Sequence, residues 1–177
     1  PSVEQAITVE CIGNIPEGGL ISSARFVGVR LRDVLNEAGV SDRAFGVKFL
    51  GLDGYPVYLP VEASLSEEPL LVHTMNGAPL DIEHGMPLRV LFPGRYGMFS
   101  CKWLDSITLT REQGLWSSFR GVNNVVEGRM HTRSRIDFIQ SGATANRELR
   151  VGYEVVVAGL AAAVGRGIER VELTADG

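Results

Sequence analysis

The stretch His84-Gly-Met-Pro-Leu-Arg-Val-Leu-Phe-Pro-Gly-Arg-Tyr-Gly-Met-Phe-Ser-Cys-Lys-Trp103 decides how the rest of the chain reads. Leu88, Val90, Leu91 and Phe92 make a short apolar run, partly β-branched and closed by Pro93-Gly94, which is the pattern of a buried strand. His84 and Arg89 flank its entry, and Arg95 and Lys102 follow its exit with Gly94 and Gly97 between them. Cations at the ends of buried sheet elements, beside backbone N–H groups bared by a glycine turn, suit an anion. Phosphate fits best, because arginine supplies a bidentate fork and lysine a point charge. Ordinary surface loops carry the same residues at the same spacing, so this stretch alone leaves both readings open.

The 177 residues hold one sizeable domain, or one and part of another. Hydrophobic residues at 45% and charged residues at 21% are globular values, which exclude bulk disorder. The net charge of -4 argues against a nucleic-acid partner, whose affinity rests on cationic neutralisation of phosphates. A small phosphorylated ligand needs only a local basic pocket, which overall acidity permits. No apolar run is long enough to span a bilayer and no charged-then-apolar leader opens the chain. The chain reads as cut at both ends, from Pro1 to Thr174-Ala-Asp-Gly177, so localisation is not legible. Cys11 and Cys101 are the only cysteines, and neither sits in a close pair or a zinc-like cluster.

In chain order, Ile7-Thr-Val-Glu-Cys-Ile12 alternates Ile7, Val9 and Cys11 against Thr8 and Glu10, a half-buried strand ending at Gly13-Asn14. On this pattern Cys11 is a small buried filler unless something else claims its sulfur. Arg25 beside Phe26 either reaches the pocket or closes a surface pair, and the second is preferred. Val29 to Ala38 carries helical spacing with a glycine stop at Gly39. Phe45 to Leu52 and Tyr55 to Leu59 read as strands around a tight Asp53-Gly54 turn. A helical turn is expected over Val61 to Ser66, then a strand from Pro69 to Met75 closed by Asn76-Gly77, with His73 packed or at the surface. Ala78 to His84 reads as the loop that delivers His84, and Leu104 to Leu109 as an alternating strand. Glu112 to Arg129 has no clear period, and its Trp116, Phe119 and Arg120 either line an opening or anchor an irregular segment on the core, with the anchor preferred. After Arg133-Ser-Arg-Ile-Asp137 strand signals recur at Glu148 to Ala158 and at Gly167 to Thr174.

Thr8-Val-Glu-Cys-Ile-Gly-Asn14, Ile21-Ser-Ser-Ala-Arg-Phe26, Val29-Arg-Leu-Arg-Asp-Val-Leu35, Gly51-Leu-Asp-Gly-Tyr55, Met75-Asn-Gly77, His84-Gly85, Pro87-Leu-Arg89, Pro93-Gly94 and Lys102-Trp-Leu104 occur in the order found in a known family. Together they resemble the molybdopterin-binding domain of the sulfite oxidase family. The resemblance implies a mixed α/β (α+β) fold, with a molybdopterin-binding domain over 1–131 and the beginning of an immunoglobulin-like dimerisation domain over 132–177. It implies a molybdenum–molybdopterin cofactor, with Cys11 as the protein thiolate on the metal. A soft sulfur donor suits a thiophilic metal, and binding deprotonates the thiol. By the same resemblance His84, Arg89 and Lys102, with backbone N–H groups around Ser100 and Cys101, grip the pterin and its phosphate, and Asp53 reads the pterin ring.

The resembled enzymes transfer an oxygen atom to or from a small molecule and form homodimers, and for this chain the electrons are expected to leave to a separate protein or to a missing domain. Their substrate pocket carries over less well than their cofactor pocket. Arginines follow the cysteine motif directly in the family, where this chain has Ile15 and Pro16, and Gln113 stands where the active-site tyrosine is implied, ahead of Trp116. Sulfite is therefore not singled out as the substrate. Two rival readings remain, a cofactor-free scaffold or dimerisation module that has lost catalysis, and an S- or N-oxide reductase on the same fold. No haem-ligand pair and no flavin or nicotinamide fingerprint appears.

Overall fold

The computed structural model describes residues 1–15, 18–66, 68–111, 128–141, 151–163 and 167–175. In chain order the elements are β1 (Ser2–Glu10), β2 (Ile21–Arg30), α1 (Leu31–Ala38), β3 (Gly46–Gly51), β4 (Pro56–Pro60), α2 (Val61–Ser64), β5 (Leu70–Met75), β6 (Ala78–Pro79), β7 (Arg89–Leu91), a 3-10 turn (Gly97–Phe99), β8 (Leu104–Thr110), β9 (Arg133–Ser141) and β10 (Val155–Ala162). The fold is sheet-rich with few helices.

β1 and β2 form a long antiparallel hairpin, in register from Ser2 against Val29 to Glu10 against Ile21. The other edge of β2 pairs with β5, and the far edge of β5 is shared between β7 and β6. Where β2 meets β5 the register slips between Val27 and Gly28, and a Cβ on Gly28 would lie 2.1 Å from the Leu71 carbonyl oxygen. Only a residue without a side chain allows that approach. A second sheet runs in the order β4-β3-β8, and β9 and β10 pair as a two-stranded antiparallel sheet.

Period-two alternation explains how the first sheet buries both faces at β5 and β7. Leu71 and Val90 enter one core with Val47 and Phe49 of β3, Val57 and Leu59 of β4, and Leu31 and Leu35 of α1. Leu70, Val72 and Leu91 enter the other with Ile7, Phe26 and Leu80. Phe49 and Phe92 meet edge to face at 5.3 Å. Cys101 and Val90 exchange backbone hydrogen bonds, and Leu52 N–H donates to the Trp103 carbonyl at 2.9 Å. The segment from Cys101 to Trp103 therefore laces the two sheets together.

The helix starts at Leu31 rather than Val29, because Val29 and Arg30 are held in β2 by pairing with Leu71 and Leu70. Asn76 and Gly77 both take positive φ, 51° and 82°, as the hairpin between β5 and β6 requires. The largest correction lies near the C-terminus. The strand expected at Glu148 to Ala158 is found as β10, beginning only at Val155 and running on to Ala162, with 148–150 outside the described residues. β9 was not expected, and residues 167–175, where a strand was expected to Thr174, carry no regular structure. β9 escapes the hydrophobic pattern because its sense is inverted, with Arg133 and Arg135 partly covered while Ile136 and Phe138 are exposed. Pro16, Gln113, Trp116, Phe119 and Arg120 lie outside the described residues.

Candidate cofactor site

β1 ends at Glu10, and the chain turns immediately. The alternation expected of this strand breaks here, since Ile7 and Glu10 are buried while Cys11 is exposed. The turn is pinned by backbone bonds: Cys11 N–H donates to the Leu20 carbonyl at 3.0 Å, and Asn14 N–H to the Cys11 carbonyl at 3.0 Å. Asn14 staples it from within. Its Nδ2 donates to Glu10 Oε1 at 3.1 Å, and its Oδ1 accepts from Leu20 N–H at 3.1 Å.

The basic stretch gathers into a second cluster. Arg89, only 9% exposed, donates from Nη1 to the His84 carbonyl at 3.2 Å and lies 6.0 Å from the Phe26 ring centroid. Its Nε is buried without a hydrogen-bond partner among the described residues, and burial pulls the guanidinium pKa below its ordinary value. Lys102 Nζ donates to the Glu83 carbonyl at 2.8 Å and sits 4.5 Å from the Trp103 ring centroid. Gly85, at φ 104°, packs against Lys102 so closely that a Cβ would stand 2.9 Å from the lysine Cβ. His84 Nδ1 is 2.7 Å from Asp81 Oδ1, which also accepts the His84 backbone N–H at 2.7 Å. These bonds hold the Asp81 carboxyl below the usual carboxylate range and engage the imidazole through Nδ1.

Asp53 and the amides each make a structural bond. Asp53 Oδ1 accepts from Tyr55 N–H at 3.0 Å, the ordinary bond of a turn former. Ser100 N–H donates to the Gly97 carbonyl at 2.9 Å and Cys101 N–H to the Val90 carbonyl at 3.2 Å. The glycine turn thus spends the two donors that the sequence suggested it would bare. The Cys101 side chain points into the core.

One segment joins the cysteine turn to the basic cluster. Gly97 lies against the end of β1, where a Cβ would be 3.1 Å from Val9 Cγ1 and 3.4 Å from the Glu10 carbonyl oxygen, while Lys102 lies against Gly85. Five residues reach at most about 18 Å, which bounds the span between the two contacts. A cleft of about 590 Å³ opens on another side of the β1–β2 hairpin, lined by Thr8, Ser22, Ser23, Gly94, Ala162 and Ile168 among others, and it includes neither Cys11 nor His84.

Residues 1–116 match the oxidoreductase molybdopterin binding domain family. This chain belongs to that family. Over 100% of its length it is 31% identical to the mitochondrial sulfite oxidase of Homo sapiens, covering 39% of that protein. Half of it is 42% identical to the uncharacterized oxidoreductase YuiH of Bacillus subtilis, covering 46% of that protein. The crystal structure of the sulfane dehydrogenase SoxCD from Paracoccus pantotrophus aligns with 63% of the chain and 32% of its own, at a TM-score of 0.59 and 25% identity. The chain spans about two fifths of the length of the sulfite oxidases it matches.

A molybdopterin-binding domain implies a molybdenum–molybdopterin cofactor, and the residues fit one. A reachable sulfur stands on a pinned turn, and a buried guanidinium whose Nε has no hydrogen-bond partner among the described residues lies beside two further basic groups. Among the described residues no three His, Cys, Asp or Glu side chains converge as a metal cluster. The sequence reading missed Glu10, Asn14 and Asp81. Asp81 carries a local signal, an Asp three residues before a His within a turn; Glu10 carries none, because the strand pattern points it outward.

Proposed function

We propose that this chain is the cofactor-holding part of an enzyme that moves an oxygen atom to or from a small molecule. The observation that carries the reading is Arg89, a nearly buried cation bonded to the His84 carbonyl and lying beside His84 and Lys102, at one end of the segment that begins against the Cys11 turn. Cys11 serves as the thiolate on the metal. Arg89, Lys102 and His84 Nε2 hold the phosphate and the polar edge of the pterin, and Asp53 uses its second carboxylate oxygen to accept from pterin N–H groups. When bound, the molybdenum–molybdopterin group supplies two-electron oxygen-atom chemistry. In the oxidising direction, substrate and water give the oxygenated product, two protons and two electrons, and the electrons leave to a separate acceptor protein. Sulfite itself is disfavoured, because Ile15 presents an apolar side chain, 68% exposed, where the sulfite-oxidising relatives are expected to place a cation.

Residues 1–131 make the cofactor domain and 132–177 the beginning of an immunoglobulin-like dimerisation unit. A lone hairpin is marginal in water. β9 and β10 leave Phe138, Ile139, Val155 and Val156 exposed, as strands awaiting further sheet or a second copy would.

The test is molybdenum by elemental analysis and pterin by fluorescence in the full-length protein, with and without Arg89→Ala plus Lys102→Ala. Near-stoichiometric metal in the parent and a severalfold loss in the variant are expected. A parent that never acquires molybdenum would favour the scaffold reading, and unchanged content in the variant would remove the phosphate-holding role.

A further inference from the structure

The turn that carries Cys11 is held from beneath by a charge whose partner comes from far along the chain. Glu10 is 1% exposed, and its carboxylate meets the Arg133 guanidinium of β9. A carboxylate so far from water is costly unless paired, and deleting one member of such a pair strands the other. Glu10 Oε1 also takes the Asn14 Nδ2 bond, and through Asn14 it supports Leu20 and both backbone bonds of Cys11.

Arg133 reaches this spot because residues 128–130 run beside 94–96. Tyr96 N–H donates to the Gly128 carbonyl and Met130 N–H to the Gly94 carbonyl, each at 2.8 Å, which delivers β9 to the end of β1. Arg135, two residues on and so on the same face of β9, donates to the Ile15 carbonyl at 3.5 Å, gripping the loop beyond the cysteine. Gly18 packs closely on the same turn, where a Cβ would stand 2.4 Å from Asn14 Oδ1.

We infer that Arg133 is a positioning residue for the Cys11 sulfur, and that β9 braces the cofactor site as well as opening the next unit of the chain. Arg133 acts through Glu10 and Asn14 and touches no reacting atom. Its functional consequence rests on Cys11 being the metal's thiolate, while the brace is a property of the polypeptide with or without cofactor.

The experiment compares the full-length parent with Arg133→Ala, Arg133→Lys, Arg25→Ala and Cys11→Ser. Arg25 pairs with Glu4 at 3.1 Å on the exposed part of the same hairpin and serves as the control. Residue-resolved amide hydrogen exchange is read with and without cofactor, and the thiolate-to-metal charge-transfer absorption is read in loaded protein. Arg133→Ala should speed exchange at Cys11, Asn14 and Leu20 by about tenfold or more, leave β3, β4 and β8 unchanged, and shift or weaken the absorption. Arg133→Lys should recover most of both, and Arg25→Ala should change neither. Unchanged exchange at those three amides, or a uniform increase across every strand, would overturn the brace. Should Arg133→Ala not fold, Glu10→Gln with Arg133→Gln removes both charges together and is read against the same outcomes. Cys11→Ser judges the other premise: absorption that survives it would overturn the thiolate assignment, while the exchange data would still decide the brace.

Discussion

The two cysteines occupy opposite environments on neighbouring parts of the fold, and both are free thiols. Cys101 is fully buried where β7 meets the strand-to-strand lacing, and its sulfur donates weakly to the carbonyls of Lys102 at 3.6 Å and Tyr55 at 3.8 Å. Burial, with the Asp53 carboxylate adding to it against the pull of Arg89, pushes that thiol up to about 11. It therefore stays protonated at neutral pH, a packing group with a weak donor. Cys11 sits at the surface on a turn whose backbone is pinned on both sides. A metal ligand needs a sulfur that can lose its proton and be reached, on a backbone that does not move. Residue type is the same in the two regions; access and support separate them.

The sharpest way to break this contrast is to delete each sulfur in turn. Cys11→Ala is expected to abolish turnover with little change in melting temperature. Cys101→Ala is expected to keep metal and activity while losing about 1–3 kcal/mol of stability through the vacated core volume. Metal retention by the first and loss by the second would invert the assignment. A milder probe is thiol alkylation of cofactor-free protein at pH 8, followed by peptide mass mapping. Cys11 should label within minutes and Cys101 only as the fold opens, and equal labelling would erase the distinction.

The smallest expected effect is alkaline. The folded-state value for Cys101 lies above its ordinary 9.0, so the native protein keeps this proton when the unfolded chain has begun to lose it. The contribution is intact below about pH 9 and is lost as pH rises through about 11. Tyr55, raised by burial and by Cys101 and Asp53, works in the same direction. Denaturation midpoints should fall across that window, and the fall should be shallower in Cys101→Ala.

Much of the local structure in both sheets and in α1 was legible from short-range pattern. The Leu88 to Phe92 run, the Asn76-Gly77 hairpin, the Gly39 helix stop and the Asp53-Gly54 turn each depend on residues that touch their own neighbours in sequence. The grouping of His84, Arg89 and Lys102 was also readable, since a turn returns Lys102 to Gly85 within one supersecondary unit. The amides of Ser100 and Cys101 were misjudged, because their partners are fixed by a 3-10 turn and by an isolated bridge to Val90.

The order of residues alone was enough for the family, the strand that anchors the basic cluster, and the motif that singles out Cys11. These rest on local periodicity and on residues recurring in order along the chain. Only the tertiary structure decided that Glu10 turns inward, that Cys11 comes out, and that Arg133 meets the buried carboxylate from more than a hundred positions away. No local pattern carries that information. Whether a charge is buried depends on which distant strand arrives to neutralise it, and that is settled by how the sheets pack.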